Sequence, residues 1–92
     1  LHKGGNMVWV DVGGGTARNL EYFSAETIRK YFKKIYILDV SASLLEIASN
    51  RVKLMGLDDI VTVIEHDFTA ESVFTVMPKE STVDIVTMSY SL

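Results

Sequence analysis

The stretch Met7-Val8-Trp9-Val10-Asp11-Val12-Gly13-Gly14-Gly15-Thr16 decides the fold of this chain. Its first half is β-branched and apolar on both faces, as expected for a strand that helices cover on both sides. Three successive glycines then break the strand and let the backbone turn sharply. The stretch therefore predicts a buried strand, a glycine-rich turn and the start of a helix.

The alternation of short apolar runs with helical spacing continues along the chain. Helical spacing extends from Thr16 to about Lys34, and Ser24 with Thr27 marks a break that the sequence leaves open. The other predicted elements are a strand at 35–38, a helix from Ser41 or Ser43 to Gly56 with a capping box from Ser43 to Glu46, a strand at 60–64, a weaker helix at about 70–77 and a strand at 83–89.

This order of elements, β-α-β-α-β-α-β, sets the fold class. Helical crossovers between short buried strands force parallel pairing with right-handed connections. We therefore expect an α/β fold, a Rossmann-like doubly wound parallel sheet that is incomplete and holds the first four strands with their crossover helices. The alternative is an α+β domain with antiparallel pairs. The chain opens on Leu1 without an initiator Met and closes directly after a strand-like run, so we expect residues 1–92 to be a fragment.

Composition excludes several classes of protein. With 48% hydrophobic and 23% charged residues, the chain is globular rather than disordered. A net charge of −3 with scattered basic residues argues against a nucleic-acid partner. The absence of Cys excludes a disulfide scaffold and leaves the compartment open, and two distant His predict no metal site. No apolar run approaches the roughly 20 residues that span a bilayer.

Candidate binding residues stand where the predicted strands end. In an open parallel sheet, ligands bind outside the carboxyl ends of the strands, where the winding reverses. Three carboxylates and one glycine loop converge on that rim. The residues concerned are Asp11, Gly13, Gly14, Gly15 and Thr16 after the first strand, Asp39 and Val40 after the second, Asp67 and Phe68 after the third, and Ser89, Tyr90 and Ser91 after the fourth.

Asp11 decides which ligand the glycine loop favours. A dinucleotide-binding loop needs a third glycine at position 18, which is Arg18, and no Gly-Lys-Ser/Thr follows for a P-loop. A carboxylate two residues before Gly13 repels a pyrophosphate and attracts a ligand that carries an ammonium group. S-adenosylmethionine is such a ligand. The alternative is that backbone N–H groups of the glycine turn satisfy Asp11.

Two further carboxylates have candidate roles at the same rim. Asp39, at the end of the second strand, is spaced to accept hydrogen bonds from both hydroxyls of a ribose, or it caps the following helix, or both. Asp67 is placed to accept from an adenine amino group while the N–H of Phe68 donates to a ring nitrogen. Capping of a following helix is nearly as good an explanation of Asp67.

The residues quoted above resemble a known family. Val8 to Thr16 resembles motif I of the class I S-adenosylmethionine-dependent methyltransferases, and Ile37-Leu38-Asp39 resembles their ribose-binding position. His66-Asp67-Phe68 resembles their adenine-binding position, and 83–89 their motif IV strand. The frequent third glycine of the family falls on Ala17, which is small enough to keep the strand and helix close. The resemblance implies that S-adenosyl-L-methionine is the cofactor and that residues 1–92 form the N-terminal, cofactor-binding part of a methyltransferase domain.

A narrower resemblance concerns the acceptor. The stretches 11–16, 18–21, 37–44 and 87–92 are similar to the methyltransferase part of betaine lipid synthases, which trimethylate the amino group of diacylglyceryl-homoserine. This implies an N-methyltransferase with a small-molecule or lipid amine as acceptor, and a membrane surface reached through regions outside this segment. Tyr90 is a candidate for orienting the acceptor, with a packing aromatic as the alternative. No residue is assigned as catalytic base.

Two other functions stay open on the sequence alone. A nicotinamide-dependent oxidoreductase shares the sheet and the ribose acid, but it predicts a glycine at position 18 and no acid at position 11. A non-catalytic, methyltransferase-like binding module keeps the cofactor loop and lacks transfer. Binding of S-adenosylhomocysteine but not of NADH would exclude the oxidoreductase. A methyl-transfer assay distinguishes an active methyltransferase from the non-catalytic module.

Overall fold

The computed structural model describes residues 5–66 and 83–88, which form one parallel sheet with helices. The predicted α/β class with parallel strands is confirmed. The strands are β1 (Met7–Val12), β2 (Phe32–Asp39), β3 (Val61–Glu65) and β4 (Ile85–Met88), and the helices are a 3₁₀ helix (Arg18–Tyr22), α1 (Ala25–Tyr31) and α2 (Ala42–Leu54).

The strand order β3-β2-β1-β4 positions the site. The chain winds outward from β1 to β2 and β3, and then returns to the opposite side of β1 at β4, with every pair parallel. The winding direction therefore reverses between β1 and β4, whose carboxyl ends border the switch point, and β2 lies on the other side of β1. The predicted helix at about 70–77 lies outside the described residues.

Alternate residues of the strands build two apolar layers, one on each face of the sheet. On one face, the 3₁₀ helix, α1 and α2 cover the sheet, and the core there holds Trp9, Leu20, Ile28, Ile35, Ile37, Leu45, Ala48 and Val52. The other face carries a second buried cluster made of Val8, Val10, Val12, Tyr36 and Leu38. Burial on both faces explains the continuous apolar runs of β1 and β2.

The segment between β1 and β2 differs from the predicted long helix. Ser24 settles the break, since its hydroxyl caps α1 by accepting from the N–H of Thr27 at 3.1 Å. The prediction that helix extends to Lys34 is wrong, because β2 begins at Phe32 directly after the last residue of α1. Phe32 pairs with Met7, and Lys34 pairs with Val8, so strand pairing overrides the helical spacing of these residues.

Helix α2 begins and ends with defined caps. Ser41, rather than Ser43, is its N-cap and accepts from a backbone N–H three residues on, while the Ser43 hydroxyl hydrogen-bonds to that of Ser41 at 3.1 Å. The predicted stop at Gly56 is confirmed, with φ of 70°. Next to it the N–H of Leu57 donates to the carbonyl of Val52 at 3.0 Å, as in a Schellman motif. No helix within 5–66 or 83–88 is long and apolar enough to cross a membrane.

Candidate cofactor-binding site

The carboxyl ends of β1 and β2 bring the glycine loop and two carboxylates together. The N–H groups of Gly13 and Gly14 both donate to the carbonyl of Leu38, at 2.7 and 3.3 Å. Leu38 directly precedes Asp39, so the loop that follows β1 is tied to the strand end that carries the second acid. The predicted convergence of Asp11, Gly13–Gly15 and Asp39 on one rim is therefore present in the structure.

The loop turns through left-handed backbone conformations. Gly13 has φ of 72° and Gly15 has φ of 53°, values that glycine adopts without steric cost. Ala17 also has φ of 64°, and its side chain is fully buried. Ala17 is therefore small enough for the close packing that was expected, but it bears a backbone strain that the glycine frequent in the family avoids.

Asp11 lies beneath the loop with both carboxylate oxygens bonded. It is 2% exposed, its Oδ1 accepts from the hydroxyl of Thr87 at 2.8 Å, and its Oδ2 accepts from Nδ2 of Asn19 at 3.0 Å. A side chain at Gly14 would place its Cβ 2.7 Å from Oδ2, so the loop packs directly on the carboxylate. The alternative interpretation of Asp11 named only backbone N–H groups of the glycine turn as donors. The structure adds two side-chain donors, Asn19 and Thr87.

Asp39 faces the same loop from the end of β2. It is 9% exposed, and its Oδ1 accepts from the N–H of Ser41 at 3.0 Å at the start of α2. Its Oδ2 lies beside Gly15, 3.5 Å from where a Cβ at that position would be. The carboxylate thus supports the beginning of α2 and borders the loop at the same time, and the two roles proposed from the sequence are compatible.

Thr16 and Val40 stand at the ends of this arrangement. Arg51 of α2 donates through Nη1 to the carbonyl of Thr16 at 2.9 Å and to its hydroxyl at 3.3 Å. The Nε of Arg51 also lies 2.9 Å from Oε1 of Glu21 on the 3₁₀ helix. Thr16 therefore anchors the loop to α2. Val40 is 58% exposed next to Asp39, and direct contact of Thr16 and Val40 with a cofactor stays a prediction.

Five candidate residues of the rim lie outside the described residues: Asp67, Phe68, Ser89, Tyr90 and Ser91. Their roles toward adenine, cofactor and acceptor stay predictions. In the described part of the chain, no group of three His, Asp or Glu side chains is arranged to hold a metal ion.

Sequence reasoning missed three residues that hold the site. Asn19 and Thr87 bind Asp11, and Arg51 binds Thr16. A hydroxyl in the otherwise apolar β4 was a usable signal for Thr87, because Thr87 and Asp11 are register partners in adjacent strands. Nothing in the sequence pairs Arg51 with the loop, since that contact depends on how α2 packs.

A separate apolar cavity of about 700 Å³ lies on the α1 side of the sheet. Met7 and Phe32, at the amino ends of β1 and β2, line one part of it, whereas Asn19 and Thr87 line another. The cavity therefore extends from the amino ends of β1 and β2 to the two residues that bind Asp11, while Gly13–Gly15 and Asp39 do not line it.

Comparison with known proteins identifies the family. The sequence matches the ubiE/COQ5 methyltransferase family over residues 2–92. The chain belongs to this family. Comparison with curated proteins finds no match.

Solved structures that share the fold include two SAM-dependent methyltransferases. A SAM-dependent methyltransferase from Aquifex aeolicus is 27% identical, with a TM-score of 0.66 over 92% of this chain and 41% of its own. One from Thiobacillus denitrificans, in complex with S-adenosyl-L-homocysteine, is 18% identical, with a TM-score of 0.68 over 96% of this chain and 32% of its own. M. capricolum TrmK, in complex with S-adenosyl-homocysteine, is 23% identical, with a TM-score of 0.66 over 89% of this chain and 34% of its own. This member of the ubiE/COQ5 family thus spans between about a third and two fifths of these three structures.

Proposed function

We propose that this chain forms the cofactor-binding part of a methyltransferase that uses S-adenosyl-L-methionine. The observation that carries the proposal is the placement of two buried carboxylates against one glycine loop, Asp11 beneath it and Asp39 beside Gly15. Membership of the ubiE/COQ5 methyltransferase family and likeness to the Aquifex aeolicus enzyme support it.

The chemistry of these residues fits that cofactor. S-adenosylmethionine carries a positive α-ammonium group and a positive sulfonium, which the carboxylates of Asp11 and Asp39 attract. A unit-charge pair about 4 Å apart interacts by on the order of 4 kcal/mol at an effective dielectric of 20, which is enough to favour this ligand over a pyrophosphate. Oδ2 of Asp39, beside Gly15, is the acceptor proposed for the ribose hydroxyls.

Methyl transfer asks little covalent chemistry of the protein. When bound, S-adenosylmethionine supplies an electrophilic methyl group on sulfur. An uncharged acceptor nitrogen would take this methyl group while sulfur keeps the electron pair of the broken bond, and a nitrogen that still carries a hydrogen would then release a proton to solvent. Asp11, the loop and Asp39 bind and orient the cofactor, so proximity and exclusion of water are the protein's contribution.

For the acceptor, we propose an amine, and specifically a lipid amine of the diacylglyceryl-homoserine type. The support is the similarity of 11–16, 18–21, 37–44 and 87–92 to betaine lipid synthases. Tyr90, after β4, is proposed to orient that amine. Contact with a membrane surface would then occur through parts of the protein beyond this segment.

Calorimetry on the full-length protein tests the cofactor proposal. We expect micromolar or tighter binding of S-adenosylhomocysteine and no binding of NADH, because the rim is negative and position 18 is Arg18 instead of glycine. Binding of NADH with no binding of S-adenosylhomocysteine would instead assign a nicotinamide-dependent oxidoreductase.

A transfer assay with methyl-labelled S-adenosylmethionine tests the acceptor proposal. We expect label in diacylglyceryl-homoserine presented in vesicles, and none in the same vesicles with diacylglycerol alone. Cofactor binding without transfer to any amine would favour the non-catalytic binding module. Transfer to water-soluble amines only would reject the lipid acceptor while keeping the enzyme.

A further inference from the structure

A hydrogen bond joins Asp11 of β1 to Thr87 of β4, two residues that lie 76 positions apart in the chain. They are register partners in β1 and β4, and the Thr87 hydroxyl donates to Oδ1 of Asp11 at 2.8 Å. The indole N–H of Trp9 donates to the same hydroxyl at 2.8 Å. A single hydroxyl thus connects the indole to the carboxylate that lies under the glycine loop.

The chemistry of the three groups fixes the direction of this chain of hydrogen bonds. An indole N–H can only donate, and a hydroxyl has one proton. Because Thr87 accepts from Trp9, its own proton is available for Asp11, and the hydroxyl is used in both directions. Valine has nearly the same shape as threonine but would leave two part-buried polar groups without this partner.

Asn19 holds the other oxygen of the same carboxylate. Its Nδ2 donates to Oδ2 of Asp11 at 3.0 Å from the 3₁₀ helix that follows the loop. Residues 11 and 19 flank the loop, so this bond closes the loop at its base. With Oδ1 held from β4 and Oδ2 held from the 3₁₀ helix, the plane of the carboxylate is fixed beneath Gly14.

We infer that Thr87 and Asn19 are positioning residues of the cofactor site, which act through Asp11 by fixing the carboxylate and the loop that packs on it. This inference rests on the proposed function. Neither residue needs to touch the cofactor, because Asp11 transmits the effect. Trp9 belongs to the same connection and makes it observable, since its indole is bonded to Thr87.

The test compares variants of the full-length protein by calorimetric titration with S-adenosylhomocysteine. Thr87→Val should weaken affinity about tenfold, since a buried acceptor loses its donor. Thr87→Ser retains the hydroxyl and should stay within about twofold of the unchanged protein. Thr62→Val, a matched change on β3 two strands from β1, should leave affinity unchanged.

Trp9 provides a readout that a general loss of stability does not move. Indole emission should shift when S-adenosylhomocysteine binds the folded protein, and Thr87→Val should reduce that shift while Thr62→Val does not. Trp9→Phe identifies the part of the signal that belongs to Trp9.

Each outcome decides between the two proposals. If the unchanged protein binds no S-adenosylhomocysteine, the proposed function fails. If it binds and Thr87→Val binds equally well, only this inference is overturned. Should Thr87→Val not fold, Asn19→Ala decides in its place: a severalfold loss of affinity with a normal melting transition supports the inference, and unchanged affinity rejects it.

Discussion

At the scale of single residues, the loop after β1 depends on small side chains in unusual backbone conformations. Ala17 has φ of 64° and no exposed surface, so both its backbone and its methyl group are constrained. A left-handed conformation costs a non-glycine residue about 1–2 kcal/mol. The protein therefore bears at Ala17 a strain that other contacts of the loop offset.

Substitution of Ala17 should show which of the two constraints is stronger. Ala17→Gly removes the backbone strain, which stabilises the fold. It also removes a buried methyl group and makes the unfolded chain more flexible, which costs about 0.5–1 kcal/mol. Because these effects oppose each other, the free energy of unfolding should change by less than about 1 kcal/mol. Ala17→Val adds a branched side chain to a fully buried, left-handed position and should lower the free energy of unfolding by about 3 kcal/mol. Urea unfolding measures both, and equal stability of the valine variant would contradict the left-handed backbone.

Asp39 is the second residue whose roles can be separated. Asp39→Ala should weaken binding of S-adenosylhomocysteine by about 1.5–3 kcal/mol, the usual scale of a lost charged hydrogen bond. Asp39→Asn keeps an oxygen that can accept from the N–H of Ser41 but removes the charge. If affinity is unchanged in both variants, Asp39 serves only as a support for the start of α2.

The positions of the two acids and the glycines in the candidate site could be predicted from the sequence, because they follow from the order of strand, turn and helix along the chain. Asp11 precedes Gly13–Gly15 in one strand-turn unit, and Asp39 ends the next strand. Thr87 and Arg51 could not be assigned in the same way. Their partners are 76 and 35 residues away, and only the strand register and the packing of α2 bring them together.

At the scale of elements, α2 holds the loop from outside the site. Arg51 binds the carbonyl of Thr16 and the carboxylate of Glu21, and so links α2 to the end of the loop and to the 3₁₀ helix. An anchor of this kind limits loop motion without contact with a ligand.

Removing that anchor should weaken cofactor binding while the fold persists. Arg51→Ala loses a hydrogen bond from a charged donor to Thr16, which we expect to reduce affinity for S-adenosylhomocysteine about fivefold. Lys53→Ala removes an equal charge from an exposed position of the same helix and should leave affinity unchanged. Equal effects of the two changes would mean that only the charge of α2 matters.

A second link joins α1 to the turn before β3 and makes stability depend on pH. The Arg29 guanidinium, hydrogen-bonded to Asp59 at 2.6 and 3.0 Å, holds the pKa of that carboxyl below its ordinary value of 3.8. A carboxyl with a lowered pKa stabilises the folded state above its unfolded pKa and loses this contribution as pH falls through the folded one.

Asp59→Asn should therefore reduce stability slightly at neutral pH, and the difference from the unchanged protein should vanish only below pH 3.8. The effect is small and weakened by salt because both side chains are exposed. Urea midpoints between pH 7 and pH 3 measure it. A difference as large at pH 3 as at pH 7 would show that Asp59 acts through something other than its charge.

At the scale of the whole molecule, β4 is an apolar strand at the edge of the sheet. Ile85, Val86 and Met88 are exposed, and β4 pairs with β1 on one side. An exposed apolar edge strand offers unpaired backbone groups to other chains.

The 92-residue chain on its own should therefore self-associate as its concentration rises. Val86→Lys places a charge on the edge and should reduce association in light scattering. Asn50→Lys, on the exposed surface of α2, is the control with the same change in charge. Both variants move the net charge from −3 towards zero, so charge alone would not reduce association. A monomeric chain at high concentration would contradict the prediction.

The overall topology was predictable because crossovers of helical length leave few ways to pair short buried strands. The boundary between α1 and β2 was not, because Phe32–Lys34 has helical spacing and becomes strand only by pairing with β1. Local sequence preference decided the type of most elements, whereas pairing with β1 decided where β2 begins.

The direct passage from Tyr31 of α1 into Phe32 of β2 limits how the length of this protein can change. The start of β2 already has one residue more than β1, since Phe32 pairs with Met7 and Lys34 with Val8. One amino acid inserted after Lys34 would exchange the two sides of β2, so that Ile35 and Ile37 would trade places with Tyr36 and Leu38. Insertions and fusions should instead be tolerated in the exposed turn at 58–59, where neither sheet layer changes register.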